Sequence, residues 1–186
     1  MAKSKTPTTE RFVALLRGIN VGGKNMLPMK ELVAMFEKAG ATNVKNYIQS
    51  GNVVFSATPA IAKTLSEVIA KAIDCDFHIR VPVVLRAAEE LRAVVSGNPF
   101  LKQGIDPNRL HVAFLADRPS AKQAQMLDPN RSPGDSFIVR GADIFLSIES
   151  AAKTKLTNAF FDSKLQTIST GRNWRTVLKL MEMLDA

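Results

Sequence analysis

The order in which strand-length and helix-period runs follow one another is the tightest constraint this chain places on its own fold. Residues 11–18 form an apolar run that ends in glycine and read as a strand. A Gly/Asn loop follows from Asn20 to Asn25, and Pro28 suits the first turn of a helix. In that helix Met29, Leu32, Val33 and Phe36 recur at i, i+3, i+4 and i+7, and Gly40 closes it. Residues 44–49 and 53–56 flank Ser50-Gly51-Asn52, a hairpin signal. Thr58-Pro59 opens a second helix with Ile61, Leu65, Val68, Ile69 and Ala72 on one face, and residues 78–85 make a fourth strand. Strand–helix–strand–strand–helix–strand is the order of a ferredoxin-like plait.

The order then recurs. A short helix at 87–96 and a Gly/Pro/Asn-rich connection at 97–108 lead to a strand at 110–116 and a helix at 120–127. Strands at 137–140 and 144–149 flank Gly141-Ala142-Asp143. A helix at 155–165, a short strand at 167–169 and a helix at 173–184 complete the chain. The expected architecture is α+β: two ferredoxin-like (βαββαβ) subdomains in tandem with extra helices. The expected divisions are a disordered lead at 1–9, a first subdomain at 10–86, a helix and connection at 87–108, and a second subdomain at 109–186.

Composition bears on the setting. The apolar fraction is 46% and the charged fraction 23%, which excludes a wholly disordered chain. Cys75 is the single cysteine, so no internal disulfide forms, and no Cys/His cluster has metal-ligand spacing. No cofactor is expected. Met1 to Thr9 is polar, the apolar run at 12–16 is too short for a signal peptide, and no stretch approaches about 18 apolar residues. The expectation is a cytoplasmic protein with no membrane partner; the oligomeric state is left open.

Charge is the next guide. The net charge is +8, shared as +4 by residues 1–90 and +4 by residues 91–186. Within 150–180, however, six basic side chains face only Asp162. A basic balance raises the prior for anionic partners. Arg172, Arg175 and Lys179 fall at i, i+3 and i+7 of the last expected helix. The first two sit at its start, where the helix dipole disfavours cations by about 0.3–1 kcal/mol each. Lys153 and Lys155 crowd the start of the preceding helix, and Lys24 precedes the first. An anion landing at such sites relieves the strain. Acidic residues distant in sequence, or plain solvent, are the alternatives.

The loop at 18–25 reads Gly-Ile-Asn-Val-Gly-Gly-Lys-Asn and satisfies G-x-x-x-x-G-K between a strand and a helix. Asn25 stands where a phosphate loop needs a Mg²⁺-holding hydroxyl, and the helix starts late; Asp117 as a Mg²⁺ ligand lies in the other half. The remaining readings are anion binding without hydrolysis, or a glycine turn with Lys24 in solvent. Candidate anion-binding residues are therefore Arg17, Asn20, Gly22, Gly23, Lys24 and Asn25 in the first half, and Lys155, Arg172, Asn173 and Arg175 in the second. His78 and His111 read as structural or exposed, since no third group completes a triad with either. Cys75, between two aspartates, reads as an inert thiol.

Several blocks stand out together: Ala-Leu-Leu-Arg-Gly-Ile-Asn-Val-Gly-Gly-Lys-Asn at 14–25, Tyr-Ile-Gln-Ser-Gly-Asn-Val-Val-Phe at 47–55, Asn-Pro-Phe at 98–100, Lys-Leu-Thr-Asn-Ala at 155–159, and Arg-Asn-Trp-Arg-Thr-Val-Leu-Lys-Leu at 172–180. In this order, over nearly the whole chain, they resemble an uncharacterised bacterial family. The resemblance implies two ferredoxin-like subdomains and no established activity. The functional expectation is non-catalytic binding of a phosphate-bearing ligand, a nucleotide or nucleic acid. The alternatives are an enzyme acting on a small phosphorylated substrate, with Lys24 and Arg175 stabilising charge, and a protein-interaction module.

Overall fold

In the computed structural model, which describes residues 8–186, the opening apolar run forms strand β1 (Glu10–Leu16). It is followed by helix α1 (Met29–Lys38), the hairpin β2 (Thr42–Tyr47) and β3 (Asn52–Ala57), helix α2 (Pro59–Phe77) and strand β4 (Val83–Ala87). The sheet order is β2-β3-β1-β4 with every pairing antiparallel. Most of the disordered lead expected at 1–9 lies outside the described residues.

Burial explains why these elements settle as they do. Ala14 and Leu16 of β1 and Val53 and Phe55 of β3 share one core with Leu32 and Phe36 of α1 and Leu65, Ile69 and Ile73 of α2. The Phe36 and Phe55 rings lie 5.2 Å apart, tilted, and both are fully buried. Each such side chain contributes about 1.5–3 kcal/mol by leaving water. The α2 stripe runs at i, i+4 and i+8, so Val68, expected on this face, is 45% exposed. His78 was expected to start a strand; instead it ends α2 in a left-handed conformation (φ 55), and β4 begins only after Pro82, which has no N–H to give to a ladder.

The remainder repeats the plan. Helices α3 (Ala88–Gly97) and α4 (Pro99–Lys102) and a 3₁₀ turn (Pro107–Arg109) occupy the expected connection. Then come β5 (Leu110–Leu115), α5 (Ala121–Gln125), β6 (Ser136–Arg140), β7 (Asp143–Ser147), α6 (Asn158–Leu165), β8 (Ser169–Asn173) and α7 (Trp174–Asp185). This second sheet has the order β6-β7-β5-β8, again antiparallel. The fold is α+β, two ferredoxin-like plaits in tandem with extra helices. The chain divides into two compact units at Ala88/Glu89, so α4 and nearly all of α3 go with the second.

In the second unit Ala113, Leu115, Ile144 and Leu146 of the sheet pack with Phe161 and Leu165 of α6, and Phe137 meets Phe161 edge-on at 6.0 Å. Caps set where these helices start, and at α6 the start moves from the expected 155 to Asn158. Thr157 accepts from the Phe160 N–H and so sets the start of α6 at Asn158, leaving Lys155 outside the helix. Ser120 and Gln123 form a reciprocal capping box at the start of α5. Asn173 caps α7, so Arg172 belongs to strand β8, paired with Val112, and not to the last helix. On α7 the buried stripe is Trp174, Val177, Leu180, Met181 and Leu184, while Leu178 is 44% exposed. Arg92 of α3 reaches Glu89 and, at 2.7 Å, Asp185 at the end of α7. Exposed pairs of this kind contribute at most about 1 kcal/mol.

Candidate functional site

The candidate residues fall into two sets, one in each unit. The first set lies between β1 and α1. The carboxamide of Asn20 holds this loop: its Oδ1 accepts from the Leu27 N–H at 2.8 Å, and its Nδ2 donates to the Leu27 carbonyl at 2.9 Å and the Gln49 carbonyl at 3.0 Å. Asn25 Nδ2 donates to the Gly18 carbonyl at 2.7 Å. The backbone pairs Asn20 N–H with the Asn25 carbonyl and Lys24 N–H with the Val21 carbonyl. Gly22 (φ 57) and Gly23 (φ 73) are thus the central residues of a two-residue turn that requires positive φ at both.

Asn20 and Asn25, also left-handed, are the residue type most tolerant of that region after glycine. Both expected ligand groups are therefore engaged in shaping the loop. Lys24 is exposed and five residues before α1, not in a helical first turn as a triphosphate loop needs. Gly22 and Gly23 make no hydrogen bond among the described residues, and open space lies where a Cβ would be. Their N–H groups and the Lys24 ammonium remain available. The Arg17 N–H donates to the Pro82 carbonyl at 3.1 Å.

The second set gathers where β8 passes into α7. Side chains alternate along a strand, so Arg172 and Asn173 leave on opposite faces. The Arg172 guanidinium donates from Nη1 to Thr170 Oγ1 at 2.9 Å and the Gly171 carbonyl at 2.7 Å. Burial pulls its pKa down to about 10, which leaves it charged at neutral pH. Asn173 stands directly across from His111 on β5 and accepts from the Thr176 N–H at 2.8 Å. Next to it Trp174 is buried and Arg175 exposed; among the described residues Arg175 has no ion pair. Lys179, the like charge one turn on, is held by Glu182 at 2.6 Å.

A cavity of about 280 Å³ opens at this junction. Its lining draws on Asn173, Trp174 and Arg175 at the β8–α7 junction, Leu110 and His111 of β5, Ile148 and Glu149 just after β7, and Pro107 and Asn108 of the 3₁₀ turn. The sheet order explains the grouping. β7 and β8 flank β5, and both end at its start, Ser147 opposite Leu110 and Asn173 opposite His111. Asn173 and Arg175 are thereby brought together; Arg172 and Lys155 do not line this cavity. The Lys155 N–H donates to Ser132 Oγ at 3.1 Å.

Sequence reasoning passed over two groups in the cavity. His111 Nδ1 lies 3.2 Å from the Arg109 carbonyl, an acceptor only, so Nδ1 is the donor of that hydrogen bond. Glu149 lies 3.6 Å from Arg109, whose guanidinium also donates to the Gly134 carbonyl at 3.1 Å. The Glu149 N–H in turn donates to Asp135 at 2.8 Å. Burial pushes the Asp135 carboxyl up, but hydrogen bonds from Ser132, the Glu149 N–H and Thr154, with the charge of Arg109, outweigh it and hold the carboxyl below its usual range. The signal for His111 was topological. In this plait the start of the first strand lies beside the end of the fourth, so the second residue of β5 must neighbour the start of α7.

Among the described residues no group of three or more His, Cys, Asp or Glu is placed to hold a metal ion, and no helix is long and apolar enough to cross a membrane. Residues 9–145 match a family described only as a protein of unknown function, DUF1697. A conserved bacterial protein from Streptococcus pneumoniae, SP0830, has a similar solved structure. It is 24% identical, with 95% of this chain and 99% of that chain covered and a TM-score of 0.72. That likeness concerns the fold. No curated protein matches the chain.

Proposed function

Since the chain belongs to the DUF1697 family of proteins of unknown function, we propose from its own residues that it binds a phosphate-bearing ligand, a nucleotide or a nucleic-acid phosphate, without chemistry of its own. The supporting observation is the cavity at the β8–α7 junction, where Arg175, without a counter-ion among the described residues, stands beside Asn173. A cation at a helix start works against the helix dipole, and a bound phosphate reverses that sign. Lys24, with the Gly22 and Gly23 N–H groups, is a second anion-binding candidate in the first unit. The exposed, single Cys75 suits a reducing compartment, and the reading is of a cytoplasmic protein.

A thermal-shift screen with AMP, ATP, tripolyphosphate and tRNA at low and high salt tests this. The expected result is a stabilisation that persists in salt for at least one compound and is lost in Arg175→Glu. A charge-assisted hydrogen bond contributes about 1.5–3 kcal/mol, so the variant weakens binding by about tenfold to a hundredfold. Stabilisation by every polyanion, abolished by salt in wild type, indicates a basic surface only and contradicts the reading.

An enzyme acting on a small phosphorylated substrate is the second reading. It is favoured by His111, a group fit for acid–base work, in the same cavity as the charge-stabilising Arg175. Turnover of a phosphate ester by purified protein, lost in His111→Ala with the fold retained, is its required sign.

A further inference from the structure

We infer that the loop end of the first unit, where the β1–α1 loop meets the β2–β3 turn, docks a single-stranded nucleic acid, with Lys24 and the Gly22-Gly23 turn at its phosphates and Val21, Met26 and Ile48 against its bases. This rests on the phosphate-binding reading above and extends it to a second place in the chain. Val21 is 64% exposed, Met26 59% and Ile48 50%, three of the four large apolar side chains among the described residues with half or more of their surface in water. Scattered singly they would need no explanation, but here they are grouped. Asn20 Nδ2 holds the Leu27 and Gln49 carbonyls at 2.9 and 3.0 Å, and Val21, Met26 and Ile48 are the chain neighbours of Asn20, Leu27 and Gln49. The Leu16 N–H donates to the Gly51 carbonyl at 2.8 Å and fixes the same turn to the end of β1.

Ile48 stands there against its own preference. Its backbone is left-handed (φ 49), a genuine outlier for a β-branched residue, and it gains little burial in return. Strain of this kind gathers at ligand clamps.

Charge selects the occupant. Residues 11–30 and 38–58, which include both loops, contain no Asp or Glu. Lys24 and Lys45 are exposed and form no ion pair among the described residues. The carboxylates at this end of the unit are Glu31, in the first turn of α1 where the helix dipole suits it, and Asp74 and Asp76 in the last turn of α2. Helix α2 packs on β4, at the sheet edge opposite β2. Open space lies where a Cβ would be at Gly22 and Gly23, so nothing hinders approach to their backbone. The surface thus joins cations to exposed apolar groups. A single strand offers phosphates and unstacked base faces together, whereas a duplex keeps its base faces in the stack.

Fluorescence anisotropy with labelled oligouridylate and oligoadenylate of about ten nucleotides, and with the duplex the two form, tests the assignment. Wild type is expected to bind a single strand about tenfold tighter than the duplex. The double variant Met26→Gln, Ile48→Asn loses that preference and keeps its duplex affinity; asparagine tolerates the left-handed region, so an unchanged or higher melting temperature is expected. Lys24→Glu weakens both and lowers the salt slope by about one. Equal affinity for strand and duplex in wild type, or a preference untouched by the double variant, indicates a basic surface and overturns the inference. Strand binding lost in Arg175→Glu but not in the loop variants also overturns it and leaves the phosphate reading standing. Binding of phosphatidylglycerol vesicles and of no oligonucleotide overturns it in favour of a lipid surface. Binding of neither overturns it too, and AMP titration at Arg175 then decides the phosphate reading separately.

Discussion

At the scale of single residues the chain uses its asparagines and glycines to shape loops. Asn20 and Asn25 were legible as loop residues, but not as clamps. An asparagine that offers its carboxamide to a ligand and one that spends it on Leu27, Gln49 or Gly18 are the same letter, and only the fold brings those carbonyls within reach. Ile48 was not legible at all. It holds a left-handed conformation (φ 49) in the β2–β3 turn with half its surface in water. A β-branched residue pays about 1–2 kcal/mol there. Ile48→Gly is therefore expected to raise stability by about 0.5–1 kcal/mol in urea unfolding, the relief of strain exceeding the lost burial; a loss of stability contradicts this. Gly51, three residues on, behaves oppositely. Its φ is +73 and a Cβ would meet the Leu16 Cβ at 2.6 Å. Gly51→Ala is expected to cost about 3 kcal/mol, with strain and overpacking adding, and a cost under about 1 kcal/mol by the same assay refutes the account.

At the scale of elements, existence and order were legible and ends were not. Apolar runs and periodicity marked most strands and helices of the two plaits, because burial dictates them; the strand expected at 167–169 stands instead at Ser169–Asn173, and α5 buries none of its residues. Ends depend on caps, and here the cues were weak. His78 and Gln166 end helices in left-handed conformations where glycine is the usual signal. Placing the cap of α7 at Asn173 moves Arg172 into β8 and separates it from Arg175, which the helical spacing had put on one face. The same placement sets Arg175 against the α7 dipole. Arg175→Glu is accordingly expected to stabilise the ligand-free protein by about 0.5–1 kcal/mol at low salt while weakening phosphate binding by about tenfold to a hundredfold. Gain and loss in one variant is the signature of a residue kept for a ligand. A variant that loses binding and stability together points to a structural role.

At the scale of the whole molecule, the tandem plaits followed from element order, and the location of the site did not. Charge pointed to the stretch 150–180, but the cavity draws on residues from 107 to 175, because antiparallel pairing brings the start of β5 to the ends of β7 and β8. Nothing local in the sequence marks His111 or Glu149. The polar shell that positions Glu149 carries a pH signature. The Asp135 carboxyl lies below its usual range in the fold, so it contributes stability that is present above its unfolded pKa, about 3.9, and is lost as pH falls through the folded value. Thermal melts in acid are expected to fall less steeply for Asp135→Asn than for wild type, and parallel curves contradict the assignment. The central claim, a phosphate site at the β8–α7 junction, is met most directly by amide NMR of the labelled full chain titrated with AMP. The account predicts saturable shifts concentrated at His111, Trp174, Arg175 and Glu149 that need about tenfold to a hundredfold more ligand in Arg175→Glu. Shifts confined to Gly22, Gly23 and Lys24, or scattered over exposed lysines without saturation, would contradict it.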